Sequence, residues 1–237
     1  MWKSLWPWLF PLRCAGCGRP PDALCAECTA GLRPPPPAVP PAGLDWWVAA
    51  FAYDGAGREV VARVKYRGTR GALPWISRAV AAAVRYDGPG TDGIHVVTWP
   101  PTTTGRIRAR GFDPAAVLAR LVARELDLPA APLLQRVGGP AQTGRTRRER
   151  HAGPSFACPD VLAGLGVLLV DDVATTGATL AAAAGTLRLA GAEAVMAATA
   201  GRTPDRTMHS DRVRPSQAVI PLSRKLGTRR CSVSDHR

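Results

Sequence analysis

Lysine is nearly absent from this chain. Among 31 basic residues only Lys3, Lys65 and Lys225 are lysines, and arginine supplies the rest. The formal net charge is +13 and the pI about 10.7. Such a balance favours polyanionic partners: nucleic acid, phosphorylated small molecules or an anionic membrane surface. It does not choose among them, because Arg-, Ala- and Pro-rich composition is also what a high-GC genome produces. No apolar run approaches the ~20 residues a membrane-spanning helix needs, so membrane insertion is not expected. No leader peptide is expected, since Met1 to Phe10 has neither a basic n-region nor a small-residue cleavage site, and Pro7 interrupts it. The chain is therefore expected in the cytoplasm, where thiols stay reduced. The four histidines, His95, His151, His209 and His236, show no metal-ligand spacing.

Cysteine is present in a pattern. Cys14-Ala-Gly-Cys17 and Cys25-Ala-Glu-Cys28 are two C-x-x-C pairs with a seven-residue spacer. Four thiolates suit one tetrahedral Zn²⁺, with no ligand position left open, which marks a structural site. An iron–sulfur cluster or a pair of disulfides are the alternatives. Gly16 and Gly18 allow the tight turn of a knuckle. Trp2, Trp6, Trp8 and Phe10 are expected to pack on this finger or on the core. Residues 1–33 then form a zinc finger, and the PPPPAVPP run within residues 34–43 is a semi-rigid linker.

At 237 residues the chain has room for one good core beside this finger. The patterning from residue 44 to 204 is that of an α/β domain. Strands are expected at 46–53, 94–99, 130–137, 166–170 and 194–200, and helices at 59–66, 73–86, 114–126 and 180–189. Asp113 and Pro114 read as a helix N-cap and first turn. Between strand and helix, residues 102–113 form a basic loop with Arg106, Arg108 and Arg110. Residues 138–156 form a long Arg-rich connection placed to act as a lid. Lys65-Tyr66-Arg67-Gly68 ends a helix and reads as a solvated end more readily than as an anion contact. Residues 205–237 lack periodicity and are expected to be a disordered basic tail.

The most informative stretch is Val167-Leu-Leu-Val-Asp171-Asp172-Val-Ala-Thr-Thr-Gly177-Ala-Thr179-Leu. A buried strand, two carboxylates, a turn of small hydroxyl residues and a helix start follow one another. Turn N–H groups and a helix N-terminus hold phosphate. The carboxylates suit sugar hydroxyls or magnesium. A ribose 5-phosphate satisfies both halves.

Val-Asp-Asp-Val-x-Thr-Thr-Gly-x-Thr resembles the phosphoribosyl-diphosphate (PRPP) signature of type I phosphoribosyltransferases. The wider pattern resembles the ComF family: two C-x-x-C pairs, Val64-Lys65-Tyr66-Arg67-Gly68, Arg110-Gly111-Phe112-Asp113, Gln142-x-Gly144 with Arg147 and Arg150, then the PRPP motif. The chain departs from the usual family pattern at Asp113, at Gly144-Arg145 and at Gly153. The resemblance implies an open, mostly parallel α/β sheet of the type I phosphoribosyltransferase kind with a small N-terminal four-Cys zinc finger. It makes Asp171 and Asp172 the ribose ligands, and Ala174, Thr175, Thr176, Gly177 and Thr179 the phosphate loop. Arg106 joins them in binding PRPP. Arg110, Arg147 and Arg150 stabilise the departing diphosphate, and Mg²⁺ accompanies PRPP. Cys14, Cys17, Cys25 and Cys28 hold zinc. The implied function is binding or transfer of a ribose 5-phosphate, linked to competence and DNA uptake, with single-stranded DNA and recombination proteins as partners. The alternative is a non-enzymatic single-stranded DNA-binding protein with PRPP or a nucleotide as regulatory ligand.

Overall fold

Parallel strands buried on both faces need helices above and below them, and this chain supplies both layers. The computed structural model describes residues 12–66, 70–88, 90–137 and 154–204. In chain order the elements are α1 (Ala26–Ala30), β1 (Trp46–Ala52), α2 (Gly55–Tyr66), α3 (Leu73–Asp87), β2 (Val96–Thr98), α4 (Thr104–Arg110), α5 (Pro114–Leu126), β3 (Gln135–Val137), β4 (Ser155–Ala157), β5 (Gly166–Ala174), α6 (Ala178–Leu189) and β6 (Ala194–Arg202). Strands β1, β6, β5 and β2 lie side by side in that order, all parallel. The fold is thus α/β with an open parallel sheet.

Period-2 alternation divides the core. Leu168 and Val170 of β5 join Met196, Ala198 and Ala200 of β6 beneath α2, α3 and α5. Val167 and Leu169 join Val195 and Ala197 on the other face, beneath α6. The helices obey their own signals. In α5, Pro114 opens the first turn and Asp113 Oδ1 accepts from the N–H groups of Ala115 and Ala116, at 3.1 and 3.4 Å. The expected N-cap and both ends of this helix are as the sequence indicates.

Three expectations need correction. Residues 130–137 are not one strand. Ala130 makes a single bridge to Val97, and only Gln135–Val137 is a strand, paired antiparallel with β4 in a separate ribbon. Between them, Leu133 and Leu134 are buried against the α6 side, and the Leu133 N–H donates to the buried Thr98 hydroxyl at 3.2 Å. Core burial there outcompetes continued pairing. Second, β5 does not stop at Val170. Its pairing with β2 ends at Leu169, but its pairing with β6 continues to Ala174, so the acidic pair lies within the strand. Third, the basic loop contains a helix, α4, capped by Thr103, whose hydroxyl accepts from the Arg106 N–H at 3.4 Å, and closed by left-handed Gly111 at φ 74°.

The N-terminal cysteine segment shares the main core, since Ala15 and Leu32 are buried in the same cluster as α2, α3 and α5. Residues 34–43 also touch the sheet domain. The Pro36 carbonyl accepts from the Arg202 guanidinium, and the Gly43 carbonyl from Arg188 Nε at 3.3 Å. No helix among the described residues is long and apolar enough to cross a membrane. The aromatics of residues 1–11, most of the lid at 138–156 and the tail at 205–237 lie outside the described residues.

Candidate functional site

Strand direction decides where a ligand fits. From β2 the chain runs through α5 to Ala130, on the free edge of β2. From β5 it runs through α6 to β6, on the other side. Crossovers of one hand that depart in opposite directions must use opposite faces, and α5 and α6 do lie on opposite faces. The carboxyl ends of β2 and β5 therefore diverge around a crevice, the usual ligand position of an open α/β sheet.

The β5 side of that crevice carries Asp171 and Asp172. Successive strand residues point to opposite faces, and Asp172 goes toward α2. There Lys65 Nζ stands 2.7 Å from Asp172 Oδ1, with both side chains less than a fifth exposed, at 17% and 19%. This contact was not legible in the sequence, where Lys65 reads as a solvated helix end. Position 65 is 107 residues from Asp172; the scarcity of lysine was the one available hint. Asp171 Oδ1 accepts the Asp172 N–H at 2.7 Å. Asp171 is partly buried, and burial pushes its pKa well above the usual carboxylate range. The neighbouring Asp172 and, less strongly, Asp113 push the same way, and the Asp172 N–H and Lys65 offset part of it.

The next turn leads from β5 into α6. Ala174 is buried, Thr175 and Thr176 are exposed, and Thr179 is half-buried in the first turn of α6. Gly177, at φ 72°, is the helix N-cap. A Cβ there would be 2.5 Å from Pro41 Cγ, so the position admits only glycine on two counts. The Ala178 N–H donates to Thr176 Oγ1 at 3.4 Å. The remaining first-turn N–H groups of a twelve-residue helix face outward with its positive dipole end.

The β2 side contributes residues 102–113. Asp113, besides capping α5, accepts the Thr102 N–H on Oδ2 at 3.2 Å, so its two oxygens tie the loop to the helix. Arg110 is turned to Tyr66. Its Nη2 donates to the phenol oxygen at 3.0 Å and its guanidinium lies 4.8 Å from the ring centre. Arg70 stacks on Phe112 at 4.2 Å. Two parts of the chain far apart in sequence, Tyr66 with Arg70 and Arg110 with Phe112, are thereby stitched together beside the acidic pair. Arg106 is exposed on α4. A second cation, Arg136 of β3, is a residue that sequence reasoning missed. It donates to the Pro101 carbonyl at 3.4 Å, and burial, then Arg106, push its pKa down. Arg147 and Arg150 lie outside the described residues.

On the far side of α2 the four cysteines converge. All four Sγ atoms lie within 4.8 Å of one another, with Cys14 and Cys17 at 3.7 and 3.9 Å from Cys25, and none is bonded to another. Four sulfurs at about 2.3 Å from one tetrahedral ion stand about 3.8 Å apart, so this set fits a single metal ion. Gly16 is required by space: a Cβ there would be 2.5 Å from Cys28 Sγ. Gly18 is required by its φ of 83°. Burial raises the Cys14 thiol, but N–H groups of Cys25, Cys17 and Gly16 outweigh it and bring the pKa to about 6. Burial and the surrounding thiols push Cys28 up to about 12. A bound cation would deprotonate all four.

Residues 113–217 match the family model of the phosphoribosyl transferase domain. The chain is similar in structure to the allosteric regulatory enzyme of purine biosynthesis, at 19% identity over 53% of this chain and 25% of that one, with a TM-score of 0.37. It is similar to the glutamine PRPP amidotransferase from B. subtilis, at 18% identity over 59% and 30%, TM-score 0.40. A hypoxanthine-guanine phosphoribosyltransferase from Bacillus anthracis shares 15% identity over 60% and 75%, TM-score 0.40. The chain thus spans about a quarter to a third of the length of the first two. No curated protein matches it.

Proposed function

We propose that this protein binds PRPP with Mg²⁺ at the carboxyl ends of β2 and β5 and transfers its ribose 5-phosphate to a nitrogen nucleophile. The observation that carries the reading is Asp171-Asp172 at a topological switch point, followed directly by a glycine-capped helix N-terminus. In this reading the turn from the end of β5 into α6, Ala174 through Thr179, receives the 5-phosphate. Asp171 and Asp172 accept hydrogen bonds from the ribose hydroxyls. The C1–O bond breaks, diphosphate leaves with the electron pair, and the nucleophile's lone pair forms the new C1–N bond. Negative charge grows on the leaving group, where fixed cations lower the barrier. Arg106, Arg110 and Arg136 supply this from the described residues, and Arg147 and Arg150 complete the set. Mg²⁺ would neutralise the diphosphate oxygens beside the acidic pair.

Zinc is the ion assigned to Cys14, Cys17, Cys25 and Cys28, on the all-sulfur tetrahedral set. Its role is structural. The ComF-like motif order extends the proposal to a cytoplasmic role in competence and DNA uptake. Single-stranded DNA binding whose log affinity falls steeply with log salt is the check on that extension.

The test of the central reading is thermal stabilisation by PRPP and Mg²⁺. At a hundredfold excess over Kd, binding should stabilise the wild type by about 2.7 kcal/mol. Asp171→Asn with Asp172→Asn should abolish the shift. An unchanged shift in the double variant would overturn the site assignment.

A further inference from the structure

Helix α2 touches two centres at once. Residues two apart on a helix point about 200° apart around its axis, and Arg63 and Lys65 do so here. Arg63 Nε donates to the Gly16 carbonyl, inside the Cys14–Cys17 turn, at 3.1 Å. Its guanidinium also lies against Gly18, where a Cβ would come within 3.1 Å of Nη1. Lys65 holds Asp172 on the opposite side. Val60, Val61 and Val64 pack the helix into the core between these contacts.

We propose that Lys65 is a positioning residue for the acidic pair, and that α2 transmits to it the state of the four-Cys knuckle. A carboxylate offers two oxygens. Lys65 clamps Oδ1 of Asp172 and so turns Oδ2 toward the crevice as the acceptor for a ligand hydroxyl. The ammonium keeps its place because α2 is seated from behind on the Cys14–Cys17 turn. That turn keeps its shape while one metal holds four thiolates. Loss of the metal frees the Gly16 carbonyl, loosens Arg63 and lets Lys65 leave Asp172, so the knuckle governs affinity at a site it does not touch. The consequence for PRPP rests on the reading above; the coupling itself does not.

The scarcity of lysine gives a direct test. The zinc-loaded full-length chain is treated with an amine-acylating reagent, and the Lys65 peptide is followed by mass spectrometry against the urea-unfolded chain. Lys65 should react at least about tenfold more slowly in the folded protein, as befits a charge-assisted pair. Arg63→Met, with zinc content retained, should raise its rate severalfold, and so should chelation of the wild type. Lys65 reacting equally in Arg63→Met and wild type, or as fast in the folded wild type as in urea, would overturn the coupling. Calorimetry with PRPP and Mg²⁺ gives the second arm. Lys65→Met should bind roughly tenfold more weakly, and Lys65→Arg should recover most of the loss. Equal affinity of Lys65→Met and wild type would overturn the positioning role. A wild type that binds no PRPP would refute the proposed function, while the acylation arm still decides the coupling.

Discussion

The four-Cys knuckle and the acidic pair solve one problem in two ways. Each gathers groups that become anionic into a confined space where like charges repel. The knuckle places four thiols within 4.8 Å, a set that one cation from outside could hold. The acidic pair receives its cation from the chain itself, through Lys65. The difference follows from ligand chemistry. The Cys28 thiol, pushed up to about 12, keeps its proton near neutral pH unless a metal removes it, whereas a carboxylate is ready to pair with an ammonium. It also follows from use. A site closed by four protein ligands can only be structural, while a carboxylate with one oxygen engaged still has one to offer.

The comparison is broken most severely by taking away the outside cation. Chelation of the knuckle metal should cost several kcal/mol of stability, since a segment of this size folds on its metal. Melting followed by circular dichroism, with zinc release recorded by a chromophoric chelator, measures it. Independence of the melt from zinc would separate the knuckle from the core that Ala15 and Leu32 share.

Removing the internal cation should cost less. Lys65→Met leaves Asp172 confined without a partner, at about 1–3 kcal/mol. Adding Asp172→Leu should return most of it, because an ion pair exchanged for packed apolar side chains is close to neutral. Denaturant midpoints of the two variants decide this. A double variant no better than the single one would mean that Lys65 stabilises α2 by some other contact.

A further effect, confined to a window of pH, is expected at Asp171. Burial and its neighbours raise the folded-state pKa of this carboxyl above the unfolded value. The folded chain therefore holds this proton more tightly. The stability it contributes is complete below the ordinary carboxylate pKa, and it is lost as pH rises from there through the raised value. Asp171→Asn, neutral at every pH, should lose this decline. Melting temperatures across that window, wild type against variant, show it; parallel curves would exclude Asp171 as the source.

The α/β pattern was legible because burial on both faces leaves apolar runs such as Val167 to Val170, and because the α5 start carries its own cap in Asp113. The acidic pair, the Thr-Thr-Gly turn and the four cysteines were legible for a similar reason: each is a contiguous or closely spaced set. Strand ends were less so. Whether β5 stops at Val170 or runs to Ala174 is decided by what lies beside it, and β6 continues where β2 does not. Residues 130–137 failed as one strand because Leu133 and Leu134 were needed in the core.

By itself, then, the sequence determined the chemistry available: a Thr-Thr-Gly turn, two carboxylates, four thiols and a surplus of arginine. These depend on residue types at short spacing, which the chain's covalent order guarantees. Only the tertiary structure decided which distant groups meet. Lys65 on Asp172, Arg63 on Gly16, Arg110 on Tyr66 and Pro41 against Gly177 are all contacts across long stretches of chain. No local propensity encodes them. They follow from parallel strand order and from two helical faces that have to be buried at once.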